Sequence, residues 1–214
     1  MARNILTSGA TLLAATAATG ALVLASPGLA QAATYSQGQA NDEHSVTNGT
    51  GDADARSKAT QGGKLRVFTE ADGGTTAGPL GGTTSTPTEA SAQASLSKRV
   101  PVAKGTYRVV VNYQGLQGRE NDRGDNSQSR VVRQSVVKYV AQSGGGDRQV
   151  DRVQQVPTNK SSKSTTLLIT VPDGSSGYLR VKAILKALST ADGKSSFAHG
   201  DASASNIVFK VNRI

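Results

Sequence analysis

Gly105-Thr106-Tyr107-Arg108-Val109-Val110-Val111-Asn112-Tyr113 is the stretch on which the fold turns. Tyr107, Val109, Val111 and Tyr113 alternate with Arg108, Val110 and Asn112. A period of two puts the first set on one face of a β-strand. Just upstream, Pro101-Val102-Ala103-Lys104 supplies a short loop, and before it Ala92, Ala94 and Leu96 alternate with Ser91, Gln93, Ser95 and Ser97. Two antiparallel strands joined by that loop are predicted.

The same period recurs outward from this hairpin. Leu167, Ile169 and Val171 alternate with Thr166, Leu168 and Thr170, and Pro172-Asp173-Gly174 follows as a turn. Leu179, Val181, Ala183, Leu185 and Ala187 then share a face opposite Arg180, Lys182 and Lys186, and the chain closes with Ile207, Phe209 and Val211. Upstream, Lys64 to Thr69 is the first such strand. Val131 to Val140 is β-branched on both faces, so its inward side is undecided. Val150, Val153 and Val156 recur every three residues, which suggests a bulged strand. Residues 71–90 and 114–129 are polar and turn-rich and are predicted to be surface loops. Seven or eight strands without a long amphipathic helix define an all-β fold, an antiparallel β-sandwich of jelly-roll or Ig-like type, over residues 64–214.

The N-terminal third differs. Residues 1–32 carry Arg3 as their only charge, an Ala/Leu-rich run and Ala30-Gln31-Ala32, the pattern of a secretory signal peptide. Residues 33–63 are polar, with Tyr35 and Val46 as the only large apolar side chains, and are expected to form a flexible N-terminal arm before the sandwich. The protein is thus expected to be secreted and extracellular, with no membrane association after signal cleavage.

Of 214 residues none is cysteine or tryptophan. That excludes disulfides, thiolate metal sites and cysteine nucleophiles, and leaves few rings for stacking. The net charge of +9 is uneven. Residues 33–97 hold Arg56, Lys58, Lys64 and Arg66 against seven acids, whereas 98–214 hold 19 basic residues against eight acids. A basic body of this kind attracts anionic partners, and Arg180, Lys182 and Lys186 are its candidate contact surface. Export and the lack of interleaved aromatic and basic residues argue against nucleic acid.

No catalytic signature emerges. His199-Gly200-Asp201 lies near Ser195 and Ser196 but without a nucleophile elbow, so His199 reads as a surface-loop histidine. Gly193-Lys194-Ser195 lacks the earlier glycine of a phosphate loop. Glu120, Asp122 and Asp125, and separately Asp192 and Asp201, offer oxygen ligands suited to structural calcium. Their spacing fits no helix-loop-helix site and Arg119 and Arg123 oppose a cation, so neither metal nor cofactor is assigned. Tyr139 and Tyr178 are the tyrosines left for a sugar platform.

The run from Ala94 to Val109, with its Gly-Thr-Tyr-Arg-Val strand, resembles a hairpin of secreted bacterial jelly-roll modules. The plan of arm plus compact domain resembles the adaptor subunits of umbrella-type toxin particles from filamentous actinobacteria. That resemblance implies a non-catalytic adaptor whose segment from Tyr35 to Val46, including Asp42 and Glu43, inserts into a larger protein partner. The alternative is a module that binds carbohydrate or an anionic cell-wall polymer, and a third is a hydrolase whose site no motif marks, for which His199 is the residue to substitute.

Overall fold

The computed structural model describes residues 32–78, 80–141, 150–157, 163–172 and 177–214. The described strands are β1 (Ala32–Tyr35), β2 (Gln39–Thr47), β3 (Ala53–Ala59), β4 (Leu65–Asp72), β5 (Thr76–Ala77), β6 (Thr83–Thr84), β7 (Thr88–Val102) and β8 (Gly105–Gln114). They continue with β9 (Gln117–Arg123), β10 (Ser127–Ala141), β11 (Val150–Pro157), β12 (Ser164–Val171), β13 (Gly177–Ala191), β14 (Phe197–Ala204) and β15 (Asn206–Arg213). Every ladder is antiparallel. The sheets run β11-β10-β13-β7-β2, β1-β15-β8-β12 and β3-β4-β14-β9, with β5-β6 as a separate ribbon.

Three 15-residue strands, β7, β10 and β13, form the middle of the first layer. Their register sets Ala183 opposite both Leu96 and Ser135. On β13 the predicted inward row Leu179, Val181, Ala183, Leu185 and Ala187 is buried, as are Ala92, Ala94 and Leu96 on β7. Fully burying each leucine of this row contributes roughly 1.5–3 kcal/mol. On β10 the inward side, undecided in sequence, is that of Val131, Arg133, Ser135, Val137 and Tyr139, because this parity faces Leu185 and Ala183 in register.

The two four-stranded sheets lie end to end beneath one face of that layer. At one end Tyr113 of β8 reaches Gln134 O at 2.7 Å and accepts from Ile184 N at 3.3 Å. At the other, Thr69 of β4 meets Ser189 hydroxyl to hydroxyl at 2.8 Å. The two sheets meet where β8 passes into β9 and β14 into β15. Gly115 takes φ +57° there, and a Cβ on it would stand 2.3 Å from Ser205 Oγ. Ser205 N donates to Gln114 O at 3.0 Å across the break. Glycine therefore lets both strands change sheet at one level. The architecture is the expected antiparallel sandwich, with its second layer split in two.

Several expectations are corrected. β7 and β8 do not pair as a hairpin: β7 lies between β13 and β2 in the five-stranded sheet and β8 between β15 and β12 in another, so the short loop between them carries the chain from one layer to the other, where each strand buries its apolar row against the opposite sheet. Residues 33–63 are not a free arm: they carry β1, β2 and β3, with β2 paired to β7 from Gln39↔Ser97 to Thr47↔Glu89. Backbone pairing with a neighbouring strand replaces the apolar burial that this segment lacks. The stretches read as loops contain the end of β4, β5, β6 and the start of β7, and β9. β11 pairs with β10 in unbroken register from Val132↔Pro157 to Tyr139↔Val150, so it has no bulge. Residues 1–31 of the predicted signal peptide lie outside the described residues, whereas Ala32 begins β1. No helix among the described residues is long and apolar enough to cross a membrane.

Candidate functional site

The outer face of the β3-β4-β14-β9 sheet concentrates the chemistry-bearing side chains. On β14, Ala198, Gly200, Ala202 and Ala204 point inward and are buried, which turns Phe197, His199, Asp201 and Ser203 outward. Gly200 is needed for close approach: a Cβ there would lie 3.1 Å from Val131 Cγ2 and 3.2 Å from Thr69 Oγ1. On β4, Leu65, Val67, Thr69 and Ala71 are buried and Arg66, Phe68 and Glu70 face out. Register then lines up cross-strand rows. Asp54, Glu70, His199 and Asn121 form one, and Arg56, Phe68, Asp201 and Arg119 the next. Lys58, Arg66, Ser203 and Gln117 form a third.

His199 is the hub of this face. Its Nδ1 lies 3.5 Å from Glu70 Oε2 and its Nε2 3.6 Å from Asp201 Oδ2. Phe68 meets it edge-on at 5.1 Å between centroids, and the Phe197 ring lies parallel to it within 5°. The Arg56 guanidinium stands 5.6 Å over Phe68 while pairing with Asp54. Two half-buried phenylalanine rings are thus set among carboxylates, an imidazole and guanidinium groups on a single open sheet face. Such a surface can pack the C–H face of a sugar ring against an aromatic ring and satisfy its hydroxyls at the rim.

Two depressions continue the face. One of about 340 Å³ is lined by Phe68, Arg56, Ser57, Lys58 and Arg66. Its neighbour, about 740 Å³, runs along the junction of the half-sheets between Lys58, Lys64 and Arg66 on one side and Gln117, Ser203 and Ser205 on the other. The four basic residues of the acidic front segment therefore converge here.

Of the side chains singled out in sequence, His199 and Asp201 lie on this face, and the proposed partner-binding and basic-surface residues lie elsewhere. Tyr35 of β1 packs against the core beside Lys98 Nζ, 5.3 Å from its ring centroid, and burial raises its hydroxyl pKa. Asp42, Glu43 and Val46 are exposed on edge strand β2. Arg180, Lys182 and Lys186 line the outer side of β13, as alternation predicts. Glu43 and Lys186 are brought near one another: Gln93 Nε2 donates to Glu43 Oε1 at 2.5 Å, and Gln93 pairs with Lys186 in register. Tyr139 is buried and offers no platform, and Tyr178 is half-buried with Arg99 5.1 Å over its ring.

His199 is on strand β14, not in a loop, and Ser196 donates its hydroxyl to Asp192 O at 2.6 Å. Glu120 Oε1 accepts from Val131 N at 2.6 Å. Among the described residues no group of three or more His, Asp or Glu side chains is arranged to hold a metal ion. The outer face of the β3-β4-β14-β9 sheet was missed in sequence, yet a signal exists. The run Ala198, Gly200, Ala202, Ala204 has strand period with small residues, which marks close packing on one side and exposes its partners on the other.

No protein-family model and no curated protein sequence matches the chain. Among solved structures, TmCBM61 in complex with β-1,4-galactotriose aligns over 80% of this chain and 88% of its own, at 14% identity and a TM-score of 0.30. The enzymatically active domain of tailspike protein 4 from bacteriophage CBA120 aligns over 79% of this chain and 19% of its own, at 10% identity and a TM-score of 0.33.

Proposed function

We propose that the chain is a non-catalytic glycan-binding β-sandwich whose binding face is the outer surface of the β3-β4-β14-β9 sheet. One observation carries this reading: Phe68, Phe197 and His199 gather on an open sheet face together with Glu70, Asp201 and Arg56. Rings hold the apolar faces of sugars and the surrounding charges accept and donate to hydroxyls, while an open face admits a polymer that a closed pocket would exclude. The test is retention on insoluble polysaccharides and purified bacterial cell walls, comparing the protein with Phe68→Ala and Phe197→Ala. Retention lost in both variants, each still folded at the assay temperature by circular dichroism, supports the reading. Retention equal to that of the unaltered protein refutes it.

A second reading, an adaptor that docks another protein, rests on the edge position of β2, which presents Asp42, Glu43 and Val46 outward. An edge strand offers main-chain donors and acceptors to an added strand. A protein that co-purifies with the unaltered chain and is lost from Asp42→Lys/Val46→Lys favours this reading.

A further inference from the structure

Charge is not uniform across the candidate face. Near His199 the cations are matched by Asp54, Glu70 and Asp201, whereas the adjoining groove along the sheet junction is lined by Lys58, Lys64 and Arg66. No carboxylate lines that groove among the described residues. Lys58 and Arg66 face each other in register across β3 and β4, and both lie in the smaller depression beside Phe68 as well. All three cations are exposed, so their charges are available to a ligand at no folding cost.

Resting on the glycan-binding reading, we propose that this groove selects acidic polysaccharides, polymers of uronic acid, by pairing their carboxylates with Lys58, Lys64 and Arg66. Two features favour a uronate over other polyanions. An arginine fork matches a carboxylate bidentately, and the ring of Phe68, in the smaller depression that shares Lys58 and Arg66 with the groove, offers a surface for the pyranose that carries it. Ser203 and Gln117 on the opposite wall supply neutral hydrogen-bonding groups for hydroxyls. A polymer of glycerol phosphate has the charge but no ring for Phe68 to hold. The groove is open rather than enclosed, so a chain can pass through it and place successive carboxylates on successive cations.

The experiment is titration calorimetry with three probes: oligogalacturonate, the same oligomer with its carboxyls reduced to alcohols, and poly(glycerol phosphate). The chain is compared with Lys58→Gln/Arg66→Gln and with Lys182→Gln/Lys186→Gln, which removes two charges from the outer face of β13 instead. Binding of oligogalacturonate is expected to fall about 100-fold in the groove variant, about tenfold for each cation whose pairing with a carboxylate is removed. The β13 variant is expected to stay within about threefold, as for a screened surface charge. The reduced oligomer, which loses its pairing with all three cations, is expected to bind about 1,000-fold more weakly than the acid. Equal losses in both variants, or equal affinity for acid and reduced oligomers, overturn acidic selection while leaving glycan binding intact. Tighter binding of poly(glycerol phosphate) than of oligogalacturonate overturns the choice of uronate. Absence of binding to both oligomers and to neutral polysaccharides overturns the glycan reading itself.

Discussion

Replacing Tyr113 with phenylalanine removes one oxygen from the interior of the sandwich. That oxygen stands between two groups of paired strands: it donates to Gln134 O at 2.7 Å and accepts from Ile184 N at 3.3 Å, with Ser135 Oγ 3.2 Å away. Gln134 and Ile184 are register partners in the β10-β13 ladder, so the hydroxyl bridges main-chain groups of adjacent strands. Tyr113 is fully buried. Phenylalanine keeps the ring packing and leaves a carbonyl and an amide without this partner where water is excluded. At about 1–3 kcal/mol for each buried orphan, less what a small closure of the ladder recovers, the expected loss is about 2–4 kcal/mol. For a chain of this size that lowers Tm by about 4–16 °C. Burial also pushes the Tyr113 hydroxyl up to about 12. The folded pKa lies above that of the unfolded chain, so this group's contribution is complete below about pH 10 and declines as pH rises through the folded value. The alkaline loss should therefore be smaller in Tyr113→Phe than in the unaltered protein between about pH 10 and 12. Urea unfolding followed by circular dichroism at pH 7 and across that alkaline window measures both effects. A change under about 0.5 kcal/mol at constant m-value would refute the bridging role.

Other consequences follow from the same geometry. Gly115→Ala meets both a positive φ and the Ser205 hydroxyl, so it should cost more than about 1 kcal/mol, and Gly115→Ala/Ser205→Gly should recover part of the loss in a denaturation series. Thr69→Val takes the 2.8 Å hydroxyl partner from Ser189 and leaves it only the 3.4 Å bond to Thr69 O, so it should destabilise by about 1 kcal/mol, and adding Ser189→Ala should restore part of it; an additive double-mutant cycle contradicts the pairing. Leu185→Ala, in the fully buried row of β13, should cost about 2–5 kcal/mol by the same assay. Phe68→Ala, half-buried on the binding face against His199 and Arg56, should cost about 1–2 kcal/mol while abolishing retention on glycans.

Period-two alternation made β7, β8, β12, β13 and β15 readable, because each buries one face and a strand reports that in every second residue. β2 and β9 were not readable. Their burial is slight on both sides, and pairing to β7 and β14 through main-chain groups leaves no mark on side-chain order. β10 was ambiguous for the opposite reason: Val132 and Val136 on its outer parity are buried as well, so the apolar pattern has no preferred side. His199 looked like a loop residue because the small residues around it, Ala198, Gly200 and Ala202, carry little apolar signal although they pack inward.

From the chain's order of residues alone come the all-β class, most of the inward rows and the outward basic side of β13. These are local: each depends on neighbours within one strand or one turn. The candidate face is not local. Arg56, Phe68, Asn121 and His199 sit on four strands, and most of the chain separates β4 from its partner β14. Which strands pair, and in which register, is decided by the packing of whole layers, and a shift of one residue in any of these ladders would turn His199 or Phe68 into the core.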